Sequence, residues 1–380
     1  MKIPFDLGDA AWISNELTDM LLEGRLAMGD KAGKFELIFK DYIGSRYALG
    51  TSNGTSALEV IFWALRERIG VAGGSVAVPS MTFMASCLAP IAAGFKIILV
   101  DCDPINFQMC PKDLAAKIQP DTVAVLLVHL GGYPSPDWPE IKAIADKNGS
   151  VLLEDAAHAH GALADGRKAG TLGLAGAFSF YPTKVLTTAE GGMVVTSDDD
   201  LYRSAQAIRQ HGQQKPGSNL HQTFGLNYRP SEIHALLGLA MMAKADWILA
   251  ERRRAAAVYD ELLRDLPVTP VLPPANHKPS YYKYMALLPE GVEREPLKLR
   301  LREEYGVALA GEVYSTPCHL QPYWDKRPEL LARPIEPLPN SELLAKRQIC
   351  LPIYPGLTRE AQLCVAEALR RALGPDEGPG

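Results

Sequence analysis

The chain of 380 residues predicts an α/β fold, with a large domain on a mostly parallel sheet and a smaller α+β domain at the carboxyl end. Two observations predict this. From about residue 53 to residue 196, short apolar runs alternate with helix-like stretches, the pattern of a sheet covered by helices on both faces. Beyond Ser231 a long helical stretch leads into a proline-rich segment, which signals a change of architecture. With 47% hydrophobic residues, a chain of this length buries a large core and divides into roughly two domains. The expected division is 1–249, including the amino-terminal segment, and 250–380.

In chain order, Ser52-Asn53-Gly54-Thr55-Ser56-Ala57-Leu58 opens a helix with small and hydroxyl residues. Such a start either caps itself in the ordinary way or leaves N–H groups and the positive dipole end free for a phosphate. The apolar stretch 76–100 is cut by Pro79, Pro90, Gly94 and Lys96 into strand (75–79), helix and strand (96–101), so no membrane span is expected. Further strands are expected at 123–129, 151–155, 177–180 and 193–196. Residues 231–263 read as one long helix bridging to the smaller domain. Residues 374–380 lack apolar side chains and should fray.

Net charge is −5, with Lys and Arg scattered. The densest run, Arg252 to Arg254, reads as a solvated helix face, and no nucleic-acid partner is expected. Met1-Lys2-Ile3-Pro4-Phe5-Asp6 lacks the basic, apolar, small-residue order of a signal peptide, which points to the cytoplasm. The six cysteines include no C-x-x-C pair and sit mostly in apolar runs, as buried reduced thiols do. No metal site is expected.

Chemistry gathers after the strand ends, where open α/β sheets bind ligands. Lys184 lies in F-S-F-Y-P-T-K-V-L-T-T-A-E-G-G-M-V-V-T, residues 178–196, as if in a tight polar turn between two apolar strands. A lysine held there either decorates a hairpin or, if desolvated, offers a neutral amine for an imine with an aldehyde. Asp155 ends the apolar run V-L-L-E-D; it either caps the next turn or pairs with a cation such as a protonated pyridine nitrogen. Ser179, a few residues before Lys184, offers another hydroxyl. Phe83, in P-S-M-T-F-M-A, is either core or a ring that stacks on a planar ligand. His129 and His158 suit structural roles at least as well as catalytic ones.

Together the segments resemble the DegT/StrS family of sugar aminotransferases, pyridoxal phosphate enzymes of fold type I, the aspartate aminotransferase-like class. The resemblance runs nearly end to end through T-S-N-G-T-S-A-L (51–58), V-P-S-M-T-F-M-A-S (78–86), V-H-L-G-G (128–132), L-E-D-A-A-H-A-H-G-A (153–162), F-S-F-Y-P-T-K (178–184), T-A-E-G-G (188–192), G-L-N-Y-R (225–229), P-C-H-L-Q-P-Y (317–323) and L-P-I-Y-P-G-L-T (351–358). It implies that Lys184 binds pyridoxal 5′-phosphate covalently and that Asp155 pairs with its ring nitrogen. It further implies phosphate contacts from Gly54, Thr55 and Ser179, Phe83 over the ring, and His158, at a position often Gln, beside the phenolic oxygen. Asn227 matches an asparagine that reaches the neighbouring subunit's phosphate, so a homodimer with shared active sites is implied. Tyr314 and His319 match the sugar side, and Arg229 a contact to substrate or to the neighbouring loop.

The implied reaction carries an amino group from glutamate or glutamine to a keto sugar. The T-T-A-E-G-G form resembles enzymes acting on nucleotide-linked 4-keto-6-deoxy sugars, while A-A-H-A-H-G-A also resembles members acting on cyclitol ketones or forming aminobenzoate. Val185 stands where the family usually has Asn or Pro, and Ala189 where it usually has Gly. The family's sugar dehydratases carry histidine at the lysine position, so Lys184 argues against that reaction. Intact Lys184, Asp155 and Ser179 argue against a non-catalytic regulator on the same fold.

Overall fold

A computed structural model describes residues 4–70, 73–213 and 219–374. The first three residues of the segment read for a signal peptide, and all of the fraying tail but Gly374, lie outside the described residues. Helices α1 (Leu7–Glu23) and α2 (Asp30–Ile43) precede β1 (Tyr47–Thr51), α3 (Gly54–Ile69), β2 (Ser75–Pro79), α4 (Ala85–Ala92) and β3 (Lys96–Val100). There follow α5 (Pro111–Lys117), β4 (Thr122–Val128), α6 (Trp138–Asn148) and β5 (Val151–Asp155). The short β6 (Leu163–Ala164) and β7 (Arg167–Lys168) lead to β8 (Ala175–Ser179), β9 (Gly192–Thr196) and α7 (Asp199–Arg209).

The large sheet has the order β1-β9-β8-β5-β4-β2-β3. Ladders from β3 through β8 are parallel, and β9 runs antiparallel to both β8 and β1. The alternation of the apolar runs sets two faces. Val76, Val78, Leu126 and Val128 pack with α3 on one side, whereas Ala77, Val125 and Leu127 meet Leu114, Ile141 and Ala145 of α5 and α6 on the other. Register carries Val128 opposite Asp155 and Asp155 opposite Ala177. The carboxyl ends of β4 and β5 therefore finish level, and β8 runs on two residues further to Ser179.

The bridging helix is two helices, α8 (Glu232–Met242) and α9 (Ala245–Leu262), bent by 60°. Met242-Ala243-Lys244 contains no helix breaker, so packing sets the bend. Beyond it Ala245, Ile248 and Leu249 join Phe39, Phe178 and Phe180 in one core, while Ala255, Ala256 and Tyr259 join the carboxyl-terminal core. Of the run Arg252 to Arg254, only Arg254 lies on a solvated face. Arg252 is buried and donates to the carbonyls of Tyr281 (2.9 Å) and Ile353 (3.2 Å); Arg253 donates to those of Pro279 and Gly161, each at 3.0 Å. These guanidinium groups satisfy loop carbonyls that would otherwise be buried without donors.

The carboxyl-terminal lobe has a sheet of β10 (Thr269–Pro270), β12 (Tyr284–Leu287) and β13 (Gln348–Leu351), while β11 (His277–Lys278) pairs with β6. It also holds α10 (Arg294–Tyr305), α11 (Tyr323–Lys326), α12 (Pro339–Arg347) and α13 (Arg359–Leu373). The chain does not stay in this lobe. Cys318, Trp324 and Leu338 pack into the core of the large sheet, and Leu344 is back among the residues around β12 and β13. At the return, buried Asp101 accepts from the Asn340 N–H (3.1 Å), the Ser341 N–H (2.8 Å) and the Ser341 hydroxyl (2.6 Å). A carboxylate here answers the unpaired N–H groups at the start of α12. Among the described residues no single helix is long and apolar enough to cross a membrane.

Candidate active site

The carboxyl ends of β4, β5 and β8, the start of α3 and the turn after β2 enclose a cavity of about 730 Å³. Lys184, Asp155, Ser179, Gly54, Thr55, Phe83, His158 and Tyr314 all line it. The structure thus brings together most of the residues singled out in the sequence, drawn from segments far apart in the chain.

Lys184 rides on the connection between β8 and β9, residues 180–191. This is a longer, folded loop rather than the expected tight turn. The Phe180 N–H donates to the Gly191 carbonyl at 2.8 Å, Thr188 N–H to Phe180 at 2.9 Å, and Lys184 N–H to Tyr181 at 2.9 Å. Val185 and Leu186 are buried beneath it, so the segment after the lysine is anchored in the core while the amine faces the cavity. Among the described residues the amine makes no hydrogen bond, and its Nζ lies 4.9 Å from the centroid of the Tyr282 ring. Burial lowers the Lys184 pKa to about 8, with the Lys283 charge helping and Asp155 opposing. That is the direction a nucleophilic amine requires.

Asp155 makes the local cap its sequence position allowed and also takes a hydroxyl donor from a distant segment. Its Oδ1 accepts from the Ala157 N–H at 3.1 Å, a local cap, while its Oδ2 accepts from the Ser86 hydroxyl at 2.7 Å. The neighbouring acid, Glu154, turns the other way. It is fully buried, lies 2.9 Å from Nε2 of His129, and accepts from the N–H groups of Gly170, Leu172 and Gly173. His129 is therefore structural.

His158 accepts from the Gly131 N–H at Nδ1 (3.3 Å) and lies 3.2 Å from the Tyr314 hydroxyl at Nε2. Burial first, and the positive charge of Lys184 second, hold it well below the ordinary histidine range. A neutral ring whose Nδ1 accepts must carry its proton on Nε2, so His158 donates to Tyr314. The Tyr282 ring stacks on His158 at 4.3 Å between centroids, and its hydroxyl lies 3.0 Å from that of Thr183. Sequence reasoning missed Tyr282, Ser86 and Thr82. Tyr282 and Ser86 act through partners distant in sequence, and Thr82 acts through Ser86.

The start of α3 also lines the cavity. Asn53 caps this helix by accepting from the Ser56 N–H at 2.8 Å, and among the described residues the N–H groups of Gly54 and Thr55 have no partner. A Cβ at Gly54 would stand 2.6 Å from the Cβ of Ser179, and one at Gly192 would stand 2.1 Å from the Asn53 carbonyl. The absent side chains let β8 and β9 press against the helix start, leaving a cradle of N–H and hydroxyl groups. A phosphate fits such a cradle, a pyridine nitrogen fits the buried carboxylate of Asp155, and an aldehyde fits the unpaired amine of Lys184. The residues present thus suit pyridoxal 5′-phosphate.

Three of the sequence candidates do not line this cavity. His319 is buried, with Nδ1 2.7 Å from the Ser80 hydroxyl and Nε2 3.3 Å from Glu342, so it ties the turn after β2 to α12. Arg229 places Nη1 2.8 Å from Nε2 of His211. Asn227 is exposed and bridges to Gln210.

The model of the DegT/DnrJ/EryC1/StrS aminotransferase family matches residues 9–370. The chain is 33% identical over 359 residues to a pleiotropic regulatory protein of Geobacillus stearothermophilus, covering 94% of this chain and 93% of that one. It is 31% identical over 368 residues to GDP-perosamine synthase of Escherichia coli O157:H7, covering 95% and 92%. Among solved structures, DesI in the presence of its TDP-sugar product superposes with a TM-score of 0.83 at 32% identity, covering 95% of this chain and 89% of that one.

Proposed function

Since the chain belongs to the DegT/DnrJ/EryC1/StrS aminotransferase family of pyridoxal-phosphate-dependent transferases, we propose that it moves an amino group from glutamate or glutamine to a nucleotide-linked 4-keto-6-deoxy sugar. The observation that carries the reading is one cavity holding a desolvated lysine amine, a buried carboxylate and the open start of a helix. The T-T-A-E-G-G loop supports the acceptor class, as do relatives named as a GDP-perosamine synthase and as DesI with a TDP-sugar product.

When bound, the cofactor supplies an aldehyde and an aromatic ring that accepts electrons. The chain supplies the rest. The N–H groups of Gly54 and Thr55 and the hydroxyl of Ser179 would hold the phosphate, and Phe83, 59% exposed and lining the cavity, would cover the ring. Asp155 would hold a proton on the ring nitrogen, and His158 with Tyr314 would address the phenolic side. Lys184 would hold the aldehyde and would move a proton at the donor and acceptor carbons; a pKa of about 8 makes both roles accessible near neutral pH.

The test is a screen of keto acceptors with glutamate and glutamine, following the keto acid formed from the donor. Turnover with a nucleotide-linked 4-keto-6-deoxy sugar is expected. Turnover confined to cyclitol ketones would replace the acceptor assignment and keep the reaction type.

A further inference from the structure

Asp155 is served by a chain of hydroxyls. Ser86, fully buried, donates to its Oδ2 at 2.7 Å, and the Ser86 oxygen lies 2.7 Å from the hydroxyl of Thr82, itself 3% exposed. An ionised carboxylate only accepts, so the single Ser86 proton points to Asp155. The Thr82 proton must then point to Ser86. A serine early in a helix ordinarily bonds back to its own helix or caps it; this one reaches a strand end 69 residues away. Thr82 and Ser86 also flank Phe83 and Ala85, both of which line the cavity. One short segment thus supplies the aromatic at the cavity wall and the donors behind the carboxylate.

We propose that Ser86, oriented by Thr82, is a positioning residue that fixes the Asp155 carboxylate against the ring nitrogen of the cofactor. The inference rests on the cofactor reading above. With Ala157 N–H on Oδ1 and Ser86 on Oδ2, the carboxylate is clamped from both sides and cannot rotate away. Hydrogen bonds donated to a carboxylate stabilise its charged form, and a charged partner keeps a ring nitrogen protonated. Without the serine hydroxyl, Oδ2 would lose its donor and the carboxylate its fixed plane.

The test uses full-length protein freed of cofactor, as wild type, Ser86→Ala, Ser86→Thr and Thr82→Val. Each is titrated with pyridoxal phosphate, and the ring-nitrogen signal is read by NMR with cofactor labelled with nitrogen-15. Losing a hydrogen bond to a charged group predicts roughly tenfold weaker uptake in Ser86→Ala, with the nitrogen signal moved towards that of the neutral ring. A smaller shift in the same direction is expected for Thr82→Val, and restoration for Ser86→Thr. An unmoved nitrogen signal in both Ser86→Ala and Thr82→Val would overturn the inference, even if Ser86→Ala were less stable, because a purely structural serine would leave that signal alone. Wild-type protein that takes up no pyridoxal phosphate would overturn the functional reading and the inference with it.

Discussion

Lys184 carries a stability cost that its chemistry demands. Burial disfavours its charged form, so the folded chain holds this amine at about 8 against an ordinary 10.5. A lysine with a depressed folded pKa destabilises the protein fully below that value, and the penalty fades as pH rises from about 8 towards 10.5, where the unfolded chain binds the extra proton. Replacing Lys184 by Met, of similar length and without charge, is expected to end covalent cofactor attachment. It should also stabilise the cofactor-free protein at pH 7, by about 3 kcal/mol. Denaturant melts at several pH values check this: the advantage should shrink above pH 8, and a variant less stable than wild type at pH 7 would refute the desolvation argument. The local sequence around position 184 left a hairpin decoration and a desolvated amine equally open, and only the fold shows the amine to be buried at the cavity. Ser86 was not legible, since M-A-S-C-L-A-P carries no polar pattern and its partner lies 69 residues away.

At the scale of elements, the junction of α3, β8 and β9 shapes the phosphate end of the cavity. Gly54→Ala forces the new Cβ against Ser179, 2.6 Å away, and the helix start must shift from β8. Overpacking of this kind costs about 1–3 kcal/mol. We expect that loss in denaturant unfolding together with weaker pyridoxal phosphate uptake; normal uptake would mean that this helix start holds no phosphate. Most strands of the large sheet were readable to within two residues, because continuous apolar runs bounded by Gly, Pro and acids mark buried parallel strands. Strand β1, Y-A-L-G-T, went unread, as its short run with an internal glycine resembles a loop and only pairing with β9 makes it a strand. The bend between α8 and α9 was equally silent, being set by tertiary packing where helical propensity is unbroken.

At the scale of the whole molecule, Asn227 is exposed, outside the cavity of its own chain. In the homodimer we propose, it serves the partner's phosphate. Mixing and reassembling Lys184→Ala chains with Asn227→Ala chains tests this directly. A shared site predicts that activity returns in the mixture, since one of the two sites then has both residues; a site built by one chain alone predicts none. His319 shows what a motif cannot convey. P-C-H-L-Q-P-Y pointed to the sugar side, yet the imidazole is spent between Ser80 and Glu342, partners invisible until the chain folds back.

That folding back has a mechanical consequence. The polypeptide passes between the two cores along α9, again before Cys318, and again between Leu338 and Leu344, with Asp101 riveting the last passage. A lobe stitched at separated points cannot swivel like a bead on a string. Tyr282 and Tyr314, which it lends to the cavity wall, are therefore held to the large sheet by the same stitches that hold the lobe.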